Sequence, residues 1–142
     1  MCKFQFNDGG RALAGYRGIT GDCVVRAISI ATGESYQTVY DAINNTAKTE
    51  IKRRHEKRGK SNARTGVFRE TYDNYLKTLG WKWVPTMKFG EGCRVHLKAD
   101  ELPSGRLIVA VSRHLTAVID GVINDTYDPS RNGSRCVYGY FM

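Results

Sequence analysis

No stretch of the chain approaches the roughly 18 consecutive apolar residues of a membrane-spanning helix, so we expect no membrane span. The first residues, 1–8, also lack the apolar stretch of a secretory signal. Together these absences favour a cytoplasmic protein. Hydrophobic residues still make up 41% of the 142 residues, which is enough to build a core. We therefore predict a single domain over 1–142.

Cysteine is scarce, and its four positions, Cys2, Cys23, Cys93 and Cys136, are widely spread. Without a secretion signal this pattern predicts reduced thiols rather than disulfides. Cys93 and His96 have the spacing of half a metal site, which Cys2 or Cys136 would have to complete. A structural zinc site normally shows two close ligand pairs, and the second pair is missing here. We therefore predict no bound metal and no cofactor.

Acidic residues are outnumbered, with 14 Asp and Glu against 22 Lys and Arg, which gives a net charge of +8. The excess is concentrated in the segment 52–64, which holds seven Lys or Arg and one acid, Glu56, for a net +6. Such a segment is either a solvated surface or a contact surface for nucleic acid or another acidic partner. It contains no Phe, Tyr or Trp, so stacking on bases is not indicated.

The first half of the chain has helical patterns. A loop over 7–22 with five glycines leads into a first helix, whose apolar positions follow Cys23 at helical spacing. Asp22 or Thr20 is its candidate N-cap, and Gly33 is a natural stop.

A second helix is predicted after its N-cap Ser35, and its pattern can continue through Ile51 into the basic segment. A third helix is predicted over 67–79. After Gly80 the apolar period changes to two, which is typical of strands. Strands are predicted over 81–84, 94–97, 106–112, 114–119, 122–127 and 136–141. Helices followed by an antiparallel sheet indicate an α+β domain.

Two of these strands form a predicted hairpin around the turn 120–121, an Asp-Gly pair that favours a two-residue loop. In that register Thr116 faces Asp125. His114 and Asp125 then share a face of the sheet as diagonal neighbours. Asn124 points to the opposite face, so the register selects Asp125 as the partner of His114.

Cys23, His114 and Asp125 are the residue types of a cysteine nucleophile, its base and the orienting carboxylate. A helix N-terminus favours the thiolate, and the backbone N–H of Cys23 would supply one donor to an oxyanion. Each residue also has an ordinary structural interpretation: a small core cysteine, a hydrogen-bonded strand histidine and a turn-capping carboxylate. His55 and His96 are weaker candidates for the base, because His55 lies in the basic segment and His96 lacks a well-placed carboxylate on a neighbouring strand.

The segment Gly21-Asp22-Cys23 before an apolar helix, followed by a strand opening at His114 and a strand bearing Asp125, resembles the papain-like cysteine peptidase superfamily. The resemblance is closest to small bacterial and phage members. It implies a papain-like fold over most of the chain, with Cys23 as nucleophile, His114 as base and Asp125 as orienting residue.

The family usually has a glutamine about six residues before the cysteine, as an oxyanion donor. Arg17 stands there in this chain, and Gln5 is the only glutamine upstream of the cysteine. The candidate oxyanion donors are therefore the Cys23 N–H, Arg17 and Gln5, with Thr20 as a further substitute for the glutamine. The aromatic residue that often follows the cysteine in the family is also absent.

The expected function is that of a cysteine-dependent acyl hydrolase, a peptidase, isopeptidase or deamidase acting on a protein or peptide. The alternative is a non-enzymatic, basic phage- or plasmid-type binding protein that contacts nucleic acid or a host protein through residues 52–64. An acidic thiol at Cys23 distinguishes the two, because a binding protein has no need for one.

Overall fold

A computed structural model describes residues 3–18, 20–50, 59–88 and 90–142. In these ranges the chain forms an α+β fold of three α-helices and a six-stranded mixed sheet. The helices are α1 (Cys23–Thr32), α2 (Tyr36–Ala47) and α3 (Arg69–Thr78). The strands are β1 (Lys3–Phe6), β2 (Trp83–Pro85), β3 (Arg106–Val111), β4 (His114–Ile119), β5 (Val122–Asp125) and β6 (Gly139–Phe141).

The sheet has the strand order β1-β5-β4-β3-β6-β2. All neighbouring strands are antiparallel except β1, which pairs in parallel with β5 from Lys3 opposite Val122 to Phe6 opposite Asp125. The prediction of a purely antiparallel sheet is therefore wrong at this edge. Strand β1 was not predicted because all four of its residues are exposed, so no buried face marks it in the sequence.

Strand β3 separates two layers of apolar side chains. Ile108 and Ala110 face the cluster formed with the helices, whereas Leu107 and Val109 face a second cluster on the other side of the sheet. Burial on both faces explains the nearly continuous apolar run predicted there as a central strand. Each fully buried side chain of this size contributes about 1.5–3 kcal/mol.

The helices largely match their predicted positions. Ser35 caps α2 by accepting a hydrogen bond from the backbone N–H of Thr38. Helix α2 ends at Ala47, so its possible continuation towards Ile51 is wrong over 48–50, and residues 51–58 lie outside the described ranges. Helix α3 begins two residues later than predicted, at Arg69.

Some strand limits also differ from prediction. Strand β6 covers only the last three residues of the predicted 136–141. The predicted strand over 94–97 is reduced to a single bridge between His96 and Cys136.

The cysteine prediction is corrected in part. Cys93 and Cys136 form a disulfide, with their Cα atoms 5.7 Å apart, whereas Cys23 is a free thiol. The sulfur of Cys93 is thus occupied, and Nδ1 of His96 lies 3.2 Å from a Glu101 carboxylate oxygen. In the described ranges no three His, Cys, Asp or Glu side chains cluster as metal ligands would.

No α-helix in the described part of the chain has both the length and the apolar character to cross a membrane.

Candidate active site

Cys23 is the first residue of α1 and is partly buried where this helix packs against β4. Because it lies in the first helical turn, its backbone N–H has no acceptor within the helix. The helix dipole adds partial positive charge at the same point. The rest of α1 is anchored by buried apolar residues such as Val25 and Ile28, so the thiol sits on a rigid element.

His114 opens β4, and its Nε2 lies 2.7 Å from Oδ2 of Asp125, the last residue of β5. The predicted hairpin register is confirmed, since Ala117 is paired with Asn124 and the two strands turn at 120–121. Both turn residues have positive φ, 48° and 79°, as a type I′ turn requires.

The Asp125 carboxylate is almost fully buried and accepts four hydrogen bonds. The donors are His114 Nε2, Thr116 Oγ1 at 2.7 Å, the Thr126 N–H at 2.7 Å and Arg26 Nη1 at 3.1 Å. Burial alone would raise the pKa of Asp125, but the hydrogen bonds and the charge of His114, with the bonds from Thr116 and Thr126, lower it overall. A carboxylate can only accept, so Nε2 of His114 carries a proton.

With Nε2 bound to Asp125, Nδ1 is the imidazole nitrogen left to serve the Cys23 thiol. Cys23 and His114 line the same cleft. Burial alone would raise the pKa of Cys23, but its interactions with the His114 side chain and charge, and with the Leu115 backbone, lower it. Burial would lower the pKa of His114, whereas Asp125 and Cys23 raise it to about 9. The geometry therefore favours a thiolate beside an imidazolium.

Tyr127 borders the same imidazole. Its hydroxyl lies 3.4 Å from Nδ1 of His114, and the two ring centroids are 5.2 Å apart. Tyr127 is half exposed, so it screens one edge of the imidazole from solvent without closing the site.

Arg26 connects the start of α1 to Asp125 and was not predicted from the sequence. Its Nε donates to Asp22 at 3.1 Å and its Nη1 donates to Asp125 at 3.1 Å. The only sequence signal was a charged residue inside an otherwise apolar helix. A buried arginine needs such carboxylate partners, and here they hold α1 and β5 together beside the thiol.

Asp22 stands at the N-cap position of α1, as predicted, but its side chain makes no capping hydrogen bond. The buried carboxylate accepts instead from Arg26, from Arg11 at 3.2 Å and from the Tyr36 hydroxyl at 2.7 Å. Its role is therefore to neutralise two arginines in the interior, and not to cap the helix.

The other predicted oxyanion donors are not brought to the thiol. Gln5 is exposed on the edge strand β1, beside Asn124. Arg17 is exposed, and its carbonyl accepts a hydrogen bond from Arg64. The Thr20 hydroxyl donates to the Arg64 carbonyl at 2.7 Å. None of the three lines the cleft at Cys23, so only the Cys23 N–H of that set remains in position.

The other two histidines, His55 and His96, were the weaker candidates for the base. His55 lies outside the described residues, as do positions 52–58 of the basic segment. His96 contacts Glu101, a carboxylate partner that was not foreseen, but it does not line the cleft at Cys23.

A cleft of about 340 Å³ opens at the thiol. Three elements form it: the start of α1, the segment leading into α3, and the turn between β3 and β4. The lining residues are Gly21, Cys23, Val24, Thr65, Gly66, Val67, Arg69, Tyr72, Val111, Arg113, His114 and Leu115. A free thiol, an imidazole bound to a carboxylate and an open cleft are therefore found together.

A scan against protein-family models, a search of curated proteins and a search of solved structures each found no match for this chain. What the cleft can do must then follow from its own residues. A nucleophilic sulfur, a base held by a buried carboxylate and an unpaired backbone donor together meet the needs of acyl transfer.

Proposed function

We propose that this chain is a cysteine-dependent acyl hydrolase, a papain-like enzyme that acts on amide or thioester bonds. The observation that carries the proposal is that Cys23, at a helix N-terminus, shares a cleft with His114, whose Nε2 is hydrogen-bonded to Asp125. The order of the three residues along the chain, noted above as a family resemblance, supports the same conclusion.

In the first half of the reaction, the Cys23 thiolate attacks the acyl carbon and a C–S bond forms. The carbonyl π electrons move to oxygen, and the resulting oxyanion accepts a hydrogen bond from the Cys23 N–H. When the carbonyl reforms, the C–N or C–S bond to the leaving group breaks. The leaving amine or thiolate takes the proton from Nδ1 of His114, which leaves a neutral imidazole and an acyl-enzyme.

In the second half, neutral His114 removes a proton from water as the water oxygen attacks the acyl carbon. The C–S bond then breaks, the carboxylic acid departs and the thiolate–imidazolium pair is restored. Asp125 is not protonated at any step. It keeps Nε2 protonated and the ring oriented, so that Nδ1 always faces the thiol.

The proposed chemistry does not depend on the cellular compartment. The sequence favours the cytoplasm, whereas the Cys93–Cys136 disulfide is typical of an oxidising compartment. The proposed chemistry needs only Cys23 as a free thiol, so it operates in either setting.

The alternative function, a binding protein for nucleic acid or an acidic host protein, is favoured by the net charge of +8. It requires no activated thiol. Cys23 reactivity therefore separates the two functions directly.

The test is alkylation of the folded protein by iodoacetamide between pH 5 and 9, with each cysteine followed by mass spectrometry. We expect Cys23 to react at pH 6 faster than the same residue in the urea-unfolded chain, because its pKa is lowered. His114→Ala should remove this advantage. A folded-state rate at pH 6 equal to or below the unfolded rate would rule out the proposed enzyme and favour the binding protein.

A further inference from the structure

The cleft at Cys23 is cationic. Arg69, at the start of α3, and Arg113, in the turn between β3 and β4, both line it. Among the described residues, no Asp or Glu belongs to the lining, and the only other lining side chain that can carry positive charge is that of His114. The site therefore presents two guanidinium groups from separate elements towards whatever enters.

Neither arginine is neutralised by the protein. Across the described residues, carboxylates pair with Arg11, Arg26 and Arg94, but none pairs with Arg69 or Arg113. Both side chains are exposed. An unpaired guanidinium at a cleft mouth is a bidentate donor for a carboxylate supplied from outside.

Arg69 is held in place by an aromatic ring. Its guanidinium carbon lies 4.0 Å from the centre of the Trp83 ring, a cation–π contact that limits its freedom. Less side-chain entropy is then lost when the guanidinium binds a ligand.

A second cleft, of about 530 Å³, adjoins the first at Arg69, which lines both. Trp83, Met87 and Tyr138 contribute apolar surface to it, Lys88 adds another cation, and no acid in the described ranges lines it. The two clefts share Arg69, so their combined lining offers cationic and apolar groups side by side, which suits a polypeptide with anionic and apolar side chains.

We propose that the substrate is an acidic polypeptide segment, with Asp or Glu side chains bound by Arg69 and Arg113 on either side of the bond that Cys23 attacks. This inference rests on the proposed function and adds the class of substrate to it. The net charge of the whole chain, +8, draws the same kind of partner from a distance.

Two reagents of nearly the same size, iodoacetate and iodoacetamide, test the charge of the cleft. The ratio of their rates at Cys23 does not depend on the thiolate fraction, because both react with the same thiolate. We expect the ratio in the folded protein to exceed that in the urea-unfolded chain. Arg69→Gln and Arg113→Gln should each lower it by about threefold, the effect of one unit charge at about 7 Å in water.

Lys48→Gln is the matched control, because it removes one positive charge from an exposed residue that lines neither of these two clefts. It should leave the ratio within error of the parent value. Raising the NaCl concentration from 20 to 500 mM should reduce the ratio in the parent protein and change it little in the Arg69→Gln/Arg113→Gln double variant.

A pair of blocked peptides, Ala-Glu-Ala-Glu-Ala and Ala-Gln-Ala-Gln-Ala, tests the substrate class. The Glu peptide should protect Cys23 from iodoacetamide at concentrations where the Gln peptide does not, and the double variant should lose that protection. Equal protection by both peptides, or a reagent ratio unaffected by the two arginine substitutions, would overturn the inference.

These outcomes are separable from failure of the proposed function. If Cys23 reacts rapidly with iodoacetamide at pH 6 but shows no preference for anions, the enzyme proposal stands and the acidic-substrate proposal falls. If Cys23 is no more reactive than in the unfolded chain, the enzyme proposal falls whatever the reagent ratio.

Discussion

Asp125 is the residue on which the geometry of the site depends most. It accepts hydrogen bonds from His114, Thr116, Arg26 and the Thr126 backbone, so that the orienting carboxylate is fixed before any substrate binds. A carboxylate with fewer partners would be free to rotate away from the imidazole. Preorganisation of this kind is what a positioned general base requires.

We expect Asp125→Asn to lower the pKa of His114 from about 9 and to slow the alkylation of Cys23, because the carboxylate charge beside the imidazole is lost. Loss of acyl-transfer activity should reach on the order of 10⁴-fold, as for the corresponding aspartate of serine peptidases. NMR titration of His114 and mass-spectrometric labelling of Cys23 measure the first two effects.

Asn124→Ala is the matched control for Asp125→Asn. Asn124 is the preceding residue of β5, points to the opposite face and donates to the Val122 carbonyl at 3.0 Å. Its removal should change the His114 pKa little. A larger effect from Asn124→Ala than from Asp125→Asn would assign the orienting role to the amide instead.

Cys23 and His114 should have opposite effects on stability as pH rises. The folded pKa of His114 is raised from 6.5 to about 9, so its contribution is complete below pH 6.5 and is lost as pH rises through 9. The folded pKa of Cys23 is lowered, so its contribution is complete above 9.0 and is lost as pH falls through the folded value. Wherever both shifts operate, the two slopes have opposite signs and offset one another.

Cys23→Ser should therefore change the pH dependence of stability. The variant keeps the effect of Asp125 on His114 but has no thiolate to compensate, so its free energy of unfolding should fall as pH rises above 6.5. The free energy of unfolding should fall by about 1.4 kcal/mol for each pH unit by which the His114 pKa of the variant still exceeds the ordinary value. Urea unfolding at pH 6, 7, 8 and 9 measures it, and a pH dependence no steeper than that of the parent would contradict the ion pair.

These residues were predictable from the sequence to different degrees. The pairing of His114 with Asp125 followed from a strong turn signal, because an Asp-Gly turn fixes the register of every residue beyond it. The roles of Arg26 and Asp22 did not follow, because a buried ion pair depends on which helix and strand meet in space. Contacts between elements that are distant in the sequence leave no pattern in the local sequence.

At the scale of elements, the central helix and hairpin were predicted, the edge strand β2 was predicted in part, and the edge strand β1 was not. Helix α1 and strands β3 and β4 are largely buried, so they need apolar residues at regular positions, and this pattern can be recognised in the sequence. Strand β1 is exposed and is held by backbone hydrogen bonds to β5, which any sequence can make. The parallel pairing, and with it the mixed sheet, therefore left no signal.

The start of α1 is held against the segment before α3 at Gly21. A Cβ atom added there would lie 2.6 Å from the carbonyl oxygen of Thr65, a residue of the cleft wall. Only glycine allows this close approach, and the approach sets the distance between the thiol and that wall.

Gly21→Ala should lower the free energy of unfolding by about 1–3 kcal/mol, because the Thr65 backbone has to move. Gly59→Ala is the control, since its added Cβ meets no atom within 4 Å and its backbone conformation suits any residue. That change should be neutral or slightly stabilising. Equal stabilities of the two variants in urea would show that the close approach is not needed.

At the scale of the whole molecule, the features hardest to predict join distant parts of the chain. The Cys93–Cys136 disulfide spans 43 residues and forms where the loop at His96 pairs with the segment before β6. The few, widely spread cysteines and the missing secretion signal predicted reduced thiols, which is wrong for Cys93 and Cys136. Spacing along the chain carries no information on spacing in the fold.

The net charge also belongs to the whole molecule and is separable from the proposed chemistry. Neutralising Lys52, Arg53, Arg54, Lys57 and Arg58 with glutamine should leave iodoacetamide labelling of Cys23 almost unchanged, since the proposed chemistry uses none of them. The net charge falls from +8 to +3, so elution from heparin should shift to lower salt, and any binding to DNA should weaken with a shallower salt dependence. If DNA binding persists at the parent strength, the segment is not the contact surface. If Cys23 labelling is lost although circular dichroism shows a folded protein, the segment contributes to the active site, and the charge and the chemistry are one system.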